Sequence, residues 1–232
     1  MYIWEEKTNI PVIDSALRRI SFKYKEIAEL GYWKIKHKKE AVFSHTHYKQ
    51  YFTTHFGIDE TYYKNKVILD IGCGPRGSLE WAKMAKSRIG LDPLASPYRK
   101  LGTKRHEMIY INSYSENIPL RRGICNVVSS FNSLDHVNDV RRTIREIKRV
   151  TSSEGLFLLI VEVNHIPRIC EPHRISPNEL IELLKPEFNC NKLTVYKPVT
   201  WGVYTSIRKN VKYEKPERVS SKGYMSACFI RK

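Results

Sequence analysis

Acidic residues and cysteines are the scarce classes in this chain. Against 40 Lys and Arg stand 24 Asp and Glu, a formal charge of +16 over 232 residues. That excess leaves open a polyanionic partner, an anionic small molecule or a lysine-rich surface. It is spread over three clusters, Lys34 to Lys39, Arg99 to Arg105 and Arg208 to Lys222, and is not confined to a tail. Cys73, Cys125, Cys170, Cys190 and Cys228 are odd in number and widely spaced, and no Cys-x-x-Cys pair exists. This gives no zinc signature and suits free thiols in a reducing compartment. No apolar run approaches the roughly 20 residues of a bilayer-spanning helix. The first residues, Met1-Tyr-Ile-Trp-Glu-Glu, lack the basic and apolar regions of a signal peptide. A soluble cytoplasmic protein is expected, with no membrane partner. Internal repeats and low-complexity segments are absent as well, and the length suits one substantial core.

What the chain does have is Val67-Ile-Leu-Asp-Ile-Gly-Cys-Gly-Pro-Arg-Gly77, with Asp92 twenty positions after Gly72. The apolar run ending in Asp70 reads as a buried parallel strand, and the glycines allow a tight turn and close backbone approach to a ligand. A helix starting near Pro75 would aim its unpaired N–H groups at that ligand. At the end of the next strand, in Ile89-Gly-Leu-Asp92-Pro93, a carboxylate is spaced to accept both hydroxyls of a ribose. Gly72, Gly74 and Gly77 satisfy G-x-G-x-x-G, so a nicotinamide or flavin dinucleotide competes with S-adenosylmethionine. Asp70 favours the latter, because its charge would repel a pyrophosphate and attract a methionyl ammonium.

Elsewhere the chain alternates. Strands are expected near 66–71, 87–91, 107–111, 124–129 and 155–162, with helical segments between them, which implies a doubly wound parallel sheet. Leu17, Ile20, Tyr24 and Ile27 predict an amphipathic helix over 13–30 with Gly31 as its stop, and a second, aromatic helix is expected near 47–56. In the helix Asp139 to Val150, Val140, Ile144 and Ile147 form the apolar stripe while Arg141, Arg142, Arg145 and Arg149 read as a solvated face. Ser176-Pro-Asn-Glu179 is a capping box opening a helix that ends before Pro186. Cys190 to Tyr196 and Tyr224 to Arg231 read as two last strands.

Further along come Glu116-Asn-Ile-Pro-Leu120, Asn132-Ser-Leu-Asp-His-Val137, Glu146-Ile-Lys-Arg-Val150 and Glu154-Gly-Leu-Phe-Leu-Leu159. With the glycine segment, and in that order, they resemble the class I S-adenosylmethionine-dependent methyltransferases, in particular the broad small-molecule branch. The resemblance covers residues 66 to about 163. It implies a Rossmann-like, seven-stranded, mostly parallel sheet whose antiparallel edge is made by the last two strands. It also implies a helical cap over residues 1–65, a methyltransferase domain over 66–232, S-adenosylmethionine as cofactor and S-adenosylhomocysteine as product. The family pattern differs here in placing Tyr114 where an Asp often meets adenine, Asn126 for an Asp, and Ser153-Glu-Gly155 for Pro-Gly-Gly.

Ligands of such sheets sit beyond the carboxyl ends of the strands. The expected cofactor contacts are therefore Asp70, Gly72, Gly74, Asp92, Pro93, Tyr114, Ser115, Glu116 and Asn132, with Tyr48 closing from the cap beside His47 and Tyr51. His165, after Glu162-Val-Asn, and His136 are the candidates for a base or an orienter of the acceptor, each with a structural alternative. Glu162, His165, Cys170, Glu171 and His173 contain metal-ligand types that could join His136 if the loop folded back. The spacing does not require this, and no metal is expected. The acceptor expected is a small molecule, methylated at oxygen or nitrogen. The alternative partner is RNA, since the insertion 198–222 interleaves Trp201, Tyr204 and Tyr213 with basic residues. No Asn/Asp-Pro-Pro-Tyr motif of exocyclic-amine nucleobase methylases follows the fourth strand.

Overall fold

The computed structural model describes residues 11–168, 170–200 and 202–232. Seven strands form one sheet: β1 Val67–Ile71, β2 Ser87–Leu91, β3 Ile109–Ile111, β4 Cys125–Phe131, β5 Thr151–Val163, β6 Phe188–Tyr196 and β7 Gly223–Arg231. Their order is β3-β2-β1-β4-β5-β7-β6. Neighbours among β1 to β5 pair in parallel, whereas β7 runs antiparallel to both β5 and β6. The doubly wound sheet with an antiparallel hairpin at one edge is thus present, and its single reversed strand lies one position inside that edge. Every expected strand exists. β5 starts four residues early because α4 passes into it without a turn.

Six α-helices accompany the sheet among the described residues: α1 Pro11–Glu40, α2 Tyr48–Phe52, α3 Ala95–Tyr98, α4 Val140–Val150, α5 Pro177–Leu184 and α6 Val203–Lys209. Asp139 caps α4 by accepting from Arg142 N, and Ser176 caps α5 by accepting from Glu179 N, as the sequence implied. One face of the sheet packs Leu69, Val128, Phe157 and Leu159 against Ile144 and Ile147 of α4 and Leu180 and Leu184 of α5. The opposite face packs Ile68, Val127, Leu158 and Ile160 against Tyr51 and Phe52 of α2, Phe56, Tyr63 and Ile207 of α6.

Three expectations about helices need correction. First, no helix follows the glycine segment: residues 75–86 form turns before β2. Gly72, Gly74 and Gly77 all take left-handed φ values of 69°, 59° and 77°, so helical backbone cannot begin before Ser78. The remaining residues are tied elsewhere. Ser78 Oγ donates to Asp70, and Glu80 accepts from the backbone N–H of Glu107 and Met108. Second, α1 passes through Gly31 to Glu40, since a mid-helix glycine costs only about 1 kcal/mol. Its Tyr24 and Ile27 are 59% and 62% exposed, so the stripe read as the buried face points outward; the side chains of Leu17 and Ile20 lie outside the described residues. Third, Arg149 is no solvated residue. It pairs with Glu146 and donates to the carbonyls of Ile118 and Leu120 at 2.7 Å each, which pins the loop before β4.

Candidate active site

A cavity of about 860 Å³ opens where β1, β2, β4 and β5 end, and α1 lies across it. Its first wall is the glycine segment. Gly72 turns tightly under β4: a Cβ there would stand 2.3 Å from the Ser133 Cβ, so only glycine fits. Asp92, 4% exposed, faces the segment and accepts from Gly74 N at 3.0 Å and Leu94 N at 2.8 Å. Each oxygen keeps a lone-pair position for a hydroxyl. Burial, helped by the charge of Glu29, lifts this carboxyl from 3.8 to about 7.

Pro93, Tyr114, Ser115, Glu116, Asn132 and Tyr48 all line the same cavity as Gly72, Gly74 and Asp92, so most of the cofactor set meets in one place. Their side chains differ in what they still offer. Tyr114 donates to Glu26 of α1, Ser115 bonds Thr143 at 2.9 Å, and Glu116 Oε1 accepts from the backbone N–H of Asn138 and Asp139. Glu116 therefore fixes the turn after β4, and its carboxylate is engaged. Asn132 sits at a left-handed φ of 55°, and burial raises the Tyr48 phenol above its ordinary pKa. Asp70 is a correction. It is absent from the cavity wall, and its two oxygens accept from Ser78 and Ser129 behind the glycine segment. Burial raises it to about 6, so its work is to latch the turn.

At the far end His136 lines the cavity, its Nε2 3.9 Å from Glu171 Oε1, and burial lowers it to about 4. It is a neutral imidazole at physiological pH. His165 does not reach the cavity: its side chain is fully enclosed, with Nδ1 3.0 Å from the Ile166 carbonyl. A base role that needs contact with an acceptor is therefore not open to it in this conformation. Of the metal-ligand types, Glu162 and Glu171 do fold back beside the two histidines, whereas His173 bonds the Val137 carbonyl at 2.8 Å.

Sequence reasoning missed the contribution of α1. Lys25, Glu29, Tyr32 and Trp33 line the cavity, and they recur at the spacing of one helical face, a signal hidden by the more apolar stripe at Tyr24 and Ile27. Arg76, in the glycine segment, donates to Glu40 through Nη1 and Nη2 at 2.7 and 2.6 Å and lies over the Phe43 ring at 4.7 Å. That pairing fastens the end of α1 to the segment it covers. Arg208 of α6 also reaches the wall and donates to the Tyr51 hydroxyl at 3.3 Å.

The comparisons agree with this geometry. Residues 69–159 match the family model described as a methyltransferase domain. Within that stretch, from β1 to β5, the chain is similar to a methyltransferase domain. A curated relative, the uncharacterized methyltransferase YcgJ of Bacillus subtilis (strain 168), is 23% identical over 153 residues, covering 59% of this chain and 60% of its own. The chain thus spans less than two thirds of the curated relatives it matches. The crystal structure of the Bacillus subtilis YcgJ protein superposes with a TM-score of 0.55 at 13% identity, covering 77% of this chain and 98% of that one. Geranyl diphosphate C-methyltransferase from Streptomyces coelicolor A3(2), solved with Mg2+, geranyl diphosphate and S-adenosylhomocysteine, gives 0.52 at 16% identity, covering 72% of this chain and 71% of that one. At such identities the likeness speaks for the fold. Among the described residues no helix is long and apolar enough to cross a membrane.

Proposed function

We propose that this chain transfers the methyl group of S-adenosylmethionine to an oxygen or nitrogen of a small organic acceptor. The observation that carries the reading is the continuity of one cavity from Gly72, Gly74 and Asp92 at one end to His136 at the other. The residues present fit the cofactor. Asp92 offers two oxygens to a ribose, Pro93, Tyr114 and Ser115 flank the place of a base, and Tyr48 with His47 stands where a methionine carboxylate would lie. Among the described residues the wall carries seven carboxyl and five cationic side chains, a balance that suits a cationic sulfonium in spite of the basic surface.

When bound, S-adenosylmethionine supplies an electrophilic methyl whose sulfur leaves as a neutral thioether. The chain's own contribution is positioning. Trp33 and Tyr32 of α1 roof the cavity and keep water from the reacting centre. His136, with its basicity lowered, hydrogen-bonds and orients the acceptor better than it removes a proton from a weakly acidic hydroxyl. Arg208, bonded to a phenol and, among the described residues, to no carboxylate, gives an anionic acceptor a cation to meet.

The RNA reading draws less support from the aromatic residues of the insertion. Tyr204 is turned inward, 4.6 Å from the Tyr51 ring centroid, and lines the cavity. Tyr213 donates to the Lys222 carbonyl at 3.0 Å, and Trp201 lies outside the described residues. Calorimetric titration tests the preferred function: saturable binding of S-adenosylmethionine is expected, weakened by about 1–3 kcal/mol in Asp92→Ala as ribose hydroxyls lose their partner. Tighter binding of a nicotinamide dinucleotide would defeat the reading.

A further inference from the structure

Behind the acceptor end of the cavity, the 3-10 turn after β4, the end of β5 and the loop that returns from it bring Asp135, Glu162, His165 and Glu171 together. One atom each from Glu162, His165 and Glu171 lies within 4.8 Å of the others, and Asp135 Oδ2 is 3.7 Å from His165 Nε2. Donors held about 2.1 Å from a common ion stand about 3 to 4.2 Å apart, so little contraction would close Glu162, His165 and Glu171 around one, with Asp135 approaching from the His165 side.

His165 is the informative member. Its Nδ1 lies 3.0 Å from the Ile166 carbonyl oxygen. A carbonyl only accepts, so Nδ1 carries the hydrogen and, in the neutral ring, Nε2 carries the lone pair. Although the side chain is fully enclosed, Nε2 has no hydrogen-bond partner among the described residues, and neither has Asp135 Oδ1. Buried polar atoms are rarely left this way. An imidazole anchored to a carbonyl through one nitrogen, with the other aimed at carboxylates, is the arrangement of a metal-bound histidine. Two neighbouring cations already meet these carboxylates, Arg168 spanning both Glu162 at 3.8 Å and Glu171, and a bound ion would displace them toward solvent. Lys222 reaches Glu162 Oε1 at 2.8 Å and Arg168 reaches Glu171 Oε2 at 3.1 Å, both from side chains 40% and 56% exposed, respectively.

We propose that Asp135, Glu162, His165 and Glu171 bind one divalent transition-metal ion of the zinc, manganese or ferrous class. Mixed imidazole and carboxylate donors select these ions over magnesium and calcium, which prefer oxygen alone. Glu162 and Glu171 also line the cavity, so the ion would adjoin a bound acceptor. The sequence spacing alone required no metal; the folded-back loop gathers the ligands. The site does not depend on the methyl-transfer reading.

The test uses the full chain, free of any tag and stripped with chelator, titrated calorimetrically with Zn2+, Mn2+ and Mg2+ and spectroscopically with Co2+. One saturable equivalent of Zn2+ or Mn2+ is expected, in preference to Mg2+, with a Co2+ ligand-field band that His165→Asn alters. Glu171→Gln, a near-isosteric change on a loop, should weaken binding by about tenfold or more. His136→Asn, at a residue grouped with Asp135 and Glu171 but outside the proposed ligand set, should weaken binding less than His165→Asn does. Circular dichroism and the metal-free thermal midpoint check that each variant folds. Absence of saturable binding, equal affinity in Glu171→Gln, or loss through His136→Asn alone would overturn the assignment. S-adenosylhomocysteine binding, measured on the same samples, distinguishes failure of the metal site from failure of the methyltransferase reading.

Discussion

Asp92 sits at the junction of stability and binding. Its unfolded value is 3.8 and its folded value about 7. Between those limits the folded state holds a proton that the unfolded chain has lost. The carboxyl's contribution to stability is therefore complete below about pH 4 and is lost as pH rises to about 7. Asp92→Asn cannot titrate. Its thermal midpoint, lower than that of the parent at pH 4 because one backbone N–H loses its acceptor, should gain on the parent up to pH 7 and then run parallel. A gap independent of pH would mean that the carboxyl is ionised throughout. The same residue illustrates what a sequence can disclose, because Asp92 at the end of an apolar strand is readable from spacing. That Asp70, an equally regular signal, turns away to Ser78 and Ser129 depends on partners eight and 59 positions distant.

At the scale of elements, the strands were legible because burial on both faces demands apolar runs of a particular length, and the caps of α4 and α5 because a short polar side chain meets N–H groups only three residues on. The turns at 75–86 were not. Three left-handed glycines in a row of six positions suit a cofactor motif and a helix start equally well on paper. The difference lies in Glu80, whose carboxylate reaches the backbone of Glu107 and Met108. The continuation of α1 through Gly31 has a similar origin, since Trp33 packs with the Phe43, Leu94, Tyr98 and Leu101 cluster and holds the helix past its weak point. Among the described residues nothing lies within 4 Å of where a Cβ at Gly31 would stand. Gly31→Ala should accordingly stabilise α1 by about 0.5–1 kcal/mol, read as slower amide exchange in residues 23–40. Faster exchange would show that the glycine is needed for a bend.

For the whole molecule, the +16 charge and the carboxyl-rich cavity are separate properties. A basic surface attracts anions from a distance, but the wall that a ligand finally meets carries more acids than bases. A ligand bound only by the folded state stabilises it by mass action, by about 2.7 kcal/mol at a hundredfold excess over Kd. In a domain of this size that corresponds to a thermal midpoint raised by about 5–11 °C. S-adenosylhomocysteine should produce this shift and a nicotinamide dinucleotide should not; an equal shift with both would place the specificity outside Asp92 and the glycine segment.

The sequence by itself determined the sheet, the order of its motifs and the glycine–Asp92 pair, because strand burial, left-handed turns and strand-end carboxylates are each specified within a few neighbouring residues. Only the tertiary structure decided which face of α1 roofs the cavity, that Asp70 latches the turn behind it, that His165 is enclosed while His136 is presented, and that Glu162 and Glu171 meet them. Those outcomes arise from contacts between segments far apart in the chain, where burial and competing hydrogen-bond partners, and not local spacing, set the direction of each side chain.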